Sequence, residues 1–270
     1  VKRILTATVL VALVFVAIRK APLPVFWAGL AALAVVATLE LRGILGRLGR
    51  PPWPVLAVTG TLAIMGSFWW RNPPLAPVLT LVVVVVLVRA VFAREQPGGA
   101  LDRIVGTLLP VLYLGLTLGH VGGLITEGLP QARETGEDLL VLALAAVYVG
   151  DTFAYYGGRL LGRHPLAPGI SPAKTWEGAV AGLLGAVVGA LAAPLWFFQA
   201  LPLAHAVVLG LVLGVAGILG DLVESLLKRA ATVKDSGGIL PGHGGILDRI
   251  DSLLLAAPVL YWYHRLLLAP

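Results

Sequence analysis

Between Ser225 and Asp251 the chain carries seven charged residues and a histidine in 27 positions, whereas charged residues are 13% of the whole. They are Lys228, Arg229, Lys234, Asp235, His243, Asp248, Arg249 and Asp251, and hydrophobic runs lie on both sides of them. Fixed cations, carboxylates and glycines beside apolar spans suit the handling of phosphates and a metal ion at a bilayer surface. Asp248 and Asp251 are three apart, so on a helix both carboxylates face one site. Hard oxygen ligands of this kind suit Mg²⁺, which keeps waters and substrate phosphates in its other positions. Just ahead of them, Pro241-Gly242-His243-Gly244-Gly245 offers a backbone that a ligand can approach closely and N–H groups that can form an anion nest.

Two further groups share this character. Asp221, Glu224, Ser225 and Lys228 are spaced i, i+3, i+4 and i+7, which puts them on one helical face. An ionised Asp at the end of an apolar run is costly unless it is paired or binds a cation. Upstream, Gly150-Asp151 and Tyr155-Tyr156 precede a joint that ends in Ser171-Pro-Ala-Lys174-Thr175-Trp176-Glu177. Ser171, Lys174 and Thr175 ahead of a helix start can cradle phosphate, with Glu177 held for a cation or for Lys174.

Each fragment taken alone has a plainer reading. The 221–228 face is also an ion-pair stripe where a helix leaves the membrane, and a lone Asp248 or Asp251 is also a helix cap. Trp176 reads as an interfacial anchor. His243 stays open among a general base, a phosphate contact and a turn residue. Glu40, His205 and the acidic stretch from Glu127 to Glu137 are assigned to structure or solvation. The sequence has no P-loop and no dinucleotide-binding glycine motif, so nucleotide binding through those folds is not supported.

The elements that must position these residues are membrane helices. Of the 270 residues 58% are hydrophobic, and they come in blocks of the length a bilayer core requires. Runs such as 81–88, Leu followed by Val almost throughout, lack the alternation of a membrane β-barrel. The fold class expected is all-α: a polytopic integral membrane protein with about nine transmembrane helices. They fall near Ile4–Ile18, Leu23–Leu41, Val55–Trp70, Leu75–Phe92, Leu101–Leu124, Leu139–Tyr156, Ala179–Phe198, Leu203–Leu222 and Leu253–Leu267. The first is read as a retained span, because Arg19-Lys20 follows it where a signal peptide would have small residues. About five spans make up an N-terminal region, 1–130. The rest form a catalytic region, 131–270, with polar loops at 157–178 and 223–252.

With nine spans, fifteen of the 20 Lys and Arg residues fall on one side, and the positive-inside bias makes that side cytoplasmic. Both polar loops are on it. The net charge of +6 then reflects orientation and attraction to anionic headgroups, not nucleic acid. With no cysteine, disulfides, thiolate metal sites and cysteine nucleophiles are excluded. A transporter would carry its ionisable residues near the bilayer midplane; here the acids crowd at span ends, which favours chemistry at the surface.

The 225–251 segment resembles the signature of the phosphatidate cytidylyltransferases, the CDP-diacylglycerol synthases. That signature runs Ser, two residues, Lys-Arg, four residues, Lys-Asp, then Pro-Gly-His-Gly-Gly, two residues, Asp-Arg, one residue, Asp. Every fixed member is present: Ser225, Lys228-Arg229, Lys234-Asp235, Pro241 to Gly245, Asp248-Arg249 and Asp251. The family's Gly-Asp-Leu-x-Glu-Ser lead-in is matched at 220–225 and its Ser-Pro-x-Lys-Thr-Trp at 171–176. The resemblance is strong from about Val149 to Leu255, while the first half matches only as hydrophobic spans.

The resemblance implies a transfer from CTP to phosphatidic acid, giving CDP-diacylglycerol and pyrophosphate. Mg²⁺ is the implied cofactor, with a monovalent cation such as K⁺ as an optional second. Asp221, Asp248 and Asp251 are the expected metal ligands. Lys228, Arg229, Lys234, Asp235 and Arg249 join them as catalytic residues around the phosphates. Ser171, Lys174, Thr175, Ser225, Gly242, His243, Gly244 and Gly245 are the expected substrate contacts. The location implied is the inner (cytoplasmic) membrane, with both polar loops inside. A homodimer stays open, as does a related enzyme acting on another lipid phosphate.

Overall fold

A computed structural model describes residues 13–70, 74–93, 95–126, 133–239 and 244–268. Pro241, Gly242 and His243, and most of the first expected span, lie outside the described residues. Over the described residues every expected span falls on a helix. They are α1 (residues 13–20), α2 (Leu23–Arg47), α3 (Pro54–Ser67), α4 (Leu75–Val91), α5 (Pro97–Thr126), α6 (Arg133–Leu161), α7 (Trp176–Ala192), α8 (Leu203–Ala230) and α9 (Leu247–Tyr263). Short π-helical turns at Ala193–Phe197 and His264–Leu268 continue α7 and α9.

The chain is an all-α polytopic membrane protein. Five helices are long and apolar enough to cross a bilayer: α2, α5, α6, α7 with its π turn, and α8. The apolar helices α3 and α4 are shorter, at 14 and 17 residues. Arg47, Arg89, Arg159, Lys228 and Arg229 occupy last turns of their helices, where a cation favours the helix dipole. Several helices run past the hydrophobic block that forecast them. The most consequential is α8, which continues to Ala230 and so carries Asp221 to Arg229 on a rigid rod. Among the described residues one strand pair occurs: β1 (Pro165–Ala167) pairs antiparallel with β2 (Ser171–Thr175) in the stretch expected as loop.

Two compact units divide the chain. The first takes in residues up to 127 together with 230–249. Its helices α2, α3 and α5 meet through small residues: a Cβ on Gly115 would crowd Ile64, one on Gly119 the Phe68 ring, and one on Gly122 the Trp27 ring. Thr107 accepts the backbone N–H of Trp53 at 3.0 Å, which ties the start of α3 to α5.

The second unit is residues 128–229 with 250–270. Here glycine brings backbones into contact, the usual way helices associate in lipid. A Cβ on Gly189 of α7 would stand 2.5 Å from the Ala145 carbonyl oxygen of α6, and one on Gly210 of α8 would stand 2.6 Å from Val187 Cα of α7. Gly220 on α8 faces the Asp251 carbonyl of α9, where a Cβ does not fit. That last approach sets Asp221, the next residue, near the Asp251–Ser252 backbone of α9.

Candidate active site

In the second unit, β2 is the element that connects the polar loop to α8. Register pairs Pro165 with Thr175 and Ala167 with Ser171, and the strand delivers Lys174 to Asp221, Nζ to Oδ2, at 2.6 Å. Lys174 and Asp221 are about one quarter and one third exposed, so the pair is open to a ligand. Glu177 does not take Lys174, one of the two partners that the sequence offered it. It pairs with His164 Nδ1 at 2.5 Å and accepts the backbone N–H groups of Arg163 and His164. Thr175 serves as the N-cap of α7, its hydroxyl accepting Gly178 N–H at 3.1 Å.

The polar face of α8 forms as its spacing predicted. Ser225 donates to Asp221 Oδ1 at 3.2 Å, and Lys228 pairs with Glu224 at 2.5 Å. Glu224 is fully buried and Lys228 nearly so. A buried carboxylate needs such a partner, because taking the charge out of water costs several kcal/mol, by order of magnitude. Arg229 turns the other way and donates Nε–H to the Ile170 carbonyl at 3.3 Å, next to β2. Asp251 accepts the N–H of Ser252 at 2.7 Å and lies within electrostatic reach of Asp221, Glu224 and Lys228. Asp151 on α6 feels Asp221, Asp251 and Lys174.

Asp151, Asp221, Asp251 and Lys174 therefore share one electrostatic neighbourhood. Three hard-oxygen donors whose like charges oppose one another, relieved in part by an ammonium group, suit a divalent cation by their chemistry. Among the described residues no three His, Asp or Glu side chains converge as a ready-made metal cage. Mg²⁺ does not require one, since it binds through one or two carboxylates plus substrate phosphates.

The first unit holds the signature loop. Asp248 Oδ2 accepts the N–H of Ser236 at 3.0 Å and of Gly245 at 2.8 Å, with the Ser236 hydroxyl also 2.9 Å away. Gly244 has φ +78°, a left-handed conformation that side chains resist. Glu40 of α2, which sequence reasoning set aside, is buried and accepts the N–H groups of Ile246 at 3.0 Å and Leu247 at 2.8 Å. Lys234, Asp235 and Arg249 are exposed in this loop or at its end.

Sequence reasoning thus missed Glu40, and left Asp151 and Glu224 out of the site it named. Glu40 had a usable signal. It is the one charged residue between Leu23 and Leu41, and the argument that flags an ionised Asp221 in an apolar helix applies to it equally. His205, assigned to structure, hydrogen-bonds the Tyr263 hydroxyl at 2.8 Å.

Helices long enough to span a bilayer, with cations and carboxylates paired at the start of α7 and along the last turns of α8, define a multi-pass membrane protein with a polar site built on helix termini. Residues 1–267 match the model of the cytidylyltransferase family, and the chain belongs to that family. It is 46% identical over 142 residues to a phosphatidate cytidylyltransferase of Synechocystis sp., covering 52% of this chain and 47% of that protein. It is 38% identical over 185 residues to the phosphatidate cytidylyltransferase of Bacillus subtilis, covering 68% and 64%. An uncharacterized Escherichia coli protein, YnbB, is 38% identical over 198 residues, covering 71% and 62%. In each case the match spans less than two thirds of the relative's own length.

Proposed function

We propose that the protein is a phosphatidate cytidylyltransferase, joining CTP and phosphatidic acid to give CDP-diacylglycerol and pyrophosphate. The observation that carries this reading is the Lys174–Asp221 ion pair, with Asp151 and Asp251 beside it, in a membrane chain of the cytidylyltransferase family. Two relatives that bear the name of this activity support it.

In the proposed step an oxygen of the lipid phosphate attacks the α-phosphorus of CTP. A new P–O bond forms, the bond from the α-phosphorus to the oxygen bridging it to the β-phosphorus breaks, and its electron pair leaves on pyrophosphate. A phosphate monoester has its second pKa near ~6 and is a nucleophile at neutral pH without a base. His243 therefore needs no proton-abstracting role. The work left to the protein is to bring two polyanions together and to stabilise charge on the leaving group.

Lys174 is already held on a carboxylate, so its ammonium group is positioned before substrate arrives and can be shared with a phosphate oxygen. Lys228 is fixed by buried Glu224, and Arg229 is oriented by the Ile170 carbonyl; with Lys234 and Arg249 they supply the remaining positive charge. The family resemblance adds Ser171, Thr175, Ser225, Gly242, His243, Gly244 and Gly245 as the residues assigned to substrate contact. Asp221 and Asp251 would hold Mg²⁺, and Asp248 is the further ligand that the family resemblance implies. When bound, the ion offsets phosphate charge and helps orient the triphosphate.

The positive-inside count supports polar loops that face the cytoplasm, where CTP is made, in the inner membrane. Purified protein in detergent, given CTP, Mg²⁺ and in turn phosphatidic acid, a polyprenyl phosphate or an alkyl phosphate, tests the acceptor. CDP-lipid with phosphatidic acid alone is expected. Product only with a polyprenyl or alkyl phosphate reassigns the enzyme to another lipid substrate.

A further inference from the structure

Glu40 stands 206 residues before Ile246, yet its carboxylate is spent on the signature loop. Oε1 accepts Ile246 N–H, and Oε2 accepts Leu247 N–H and the Ser236 hydroxyl, the last at 3.2 Å. Glu40 is 6% exposed and Ser236 9%. The space around it is closed: a Cβ on Gly237 would stand 2.5 Å from Glu40 Oε1, and one on Gly245 2.5 Å from Oε2. Burying a carboxylate among neutral donors is expensive, and the expense is offset here by charge-assisted bonds and the positive end of α9. Glu40 is thus a cap supplied from α2 for a helix that begins at Leu247.

The cap acts on the residues that carry the chemistry. Ser236 is gripped from two sides, by Glu40 and by Asp248, and Asp248 and Arg249 occupy the first turn of the helix whose N–H groups Glu40 holds. A neutral side chain would loosen both Ser236 and the start of α9. Resting on the function proposed above, we propose that Glu40 is a positioning residue for the transfer reaction, setting the orientation of Asp248 and Arg249 by tying Ser236 to Ile246 and Leu247 at the start of α9.

Glu40→Gln tests this. The amide keeps the volume but replaces one acceptor oxygen with a donor, which must face a backbone N–H or the Ser236 hydroxyl. A displacement of about 1 Å at a reacting group costs on the order of 10²-fold in rate. We expect kcat to fall by about that factor, with KM for CTP changed little and the melting temperature near that of the wild type. Glu40→Asp, which keeps the charge but shortens the reach, should recover part of the rate. Hydrogen exchange supplies the readout that does not depend on activity. In Glu40→Gln the amides of 245–248 should exchange faster, while those of α5 and α8 keep wild-type protection. Unchanged exchange at 245–248, a kcat near wild type, or uniformly lost protection with a lowered melting temperature would overturn the proposal. If the wild type makes no CDP-lipid, the reading of function fails, and exchange at 245–248 alone decides whether Glu40 anchors the loop.

Discussion

The carboxylates of the signature loop and those along α8 are used in opposite ways. In the first, Glu40 and Asp248 accept neutral donors, backbone N–H groups and one hydroxyl, and their bonds define the shape of a loop. In the second, Asp221 and Glu224 meet ammonium groups directly, and Asp151 and Asp251 crowd the same neighbourhood. A carboxylate that holds backbone amides cannot exchange its partners without the loop changing shape. A carboxylate paired with a flexible lysine can, because the ammonium group moves to a phosphate or gives way to a metal ion at small conformational cost. By these contacts the Glu40 and Asp248 carboxylates are suited to hold a shape, and Asp221 is suited to trade partners.

The largest expected effect breaks the second half of that comparison. Asp221→Asn removes the charge that Lys174 and Ser225 both address and leaves the shape. Turnover should fall by about 10²–10³-fold, the range for losing one preorganised electrostatic contact, while circular dichroism stays that of a folded helical protein. EDTA should arrest the wild type and Mg²⁺ restore it. Near-normal turnover in Asp221→Asn would return the pair to a structural ion bridge.

Asp248→Asn sharpens the boundary between the two kinds of carboxylate, because Asp248 belongs to the shaping group by its contacts and to the metal group by its sequence motif. We expect turnover lowered by about 10²-fold and a raised Mg²⁺ requirement in the rate-against-Mg²⁺ curve. A lowered rate with an unaltered Mg²⁺ requirement would assign Asp248 to loop shaping alone.

How far the sequence reaches follows the same division. Over the described residues helix existence was legible, because blocks of apolar residues near bilayer length leave few alternatives. The face of α8 was legible because i, i+4 spacing is geometry internal to one helix: Ser225 meets Asp221 and Lys228 meets Glu224 as expected. Helix ends were less so, since hydropathy marks where a helix leaves the lipid and not where it stops, and α8 runs eight residues past its expected end at Leu222. The β1–β2 hairpin was missed because three- and five-residue strands carry almost no periodic signal. The Lys174–Asp221 and Glu40–Leu247 contacts join residues 47 and 207 positions apart, and no local pattern encodes such a distance. For Glu40 the cost of a buried charge was the clue available, and it pointed to a partner without naming it.

The smallest expected effects concern the scaffold. Gly189→Leu pushes a side chain into the Ala145 carbonyl and should destabilise the protein by about 1–3 kcal/mol, as overpacking does. Gly43→Ala, on a helix with nothing within 4 Å of the new Cβ, should be neutral or stabilising by up to about 1 kcal/mol. Melting temperatures in one detergent read both. A Gly189→Leu protein as stable as the wild type, or one stabilised as much as Gly43→Ala, would show that close backbone approach does not govern Gly189.

The most direct test of the central claim is the fate of each phosphate of CTP. Purified protein with phosphatidic acid and Mg²⁺ is given CTP labelled on the α-phosphate in one reaction and on the γ-phosphate in another. The account predicts α-label in the lipid and γ-label in pyrophosphate, in equal amounts. γ-Label in the lipid, or label released from CTP with none entering lipid, would contradict it.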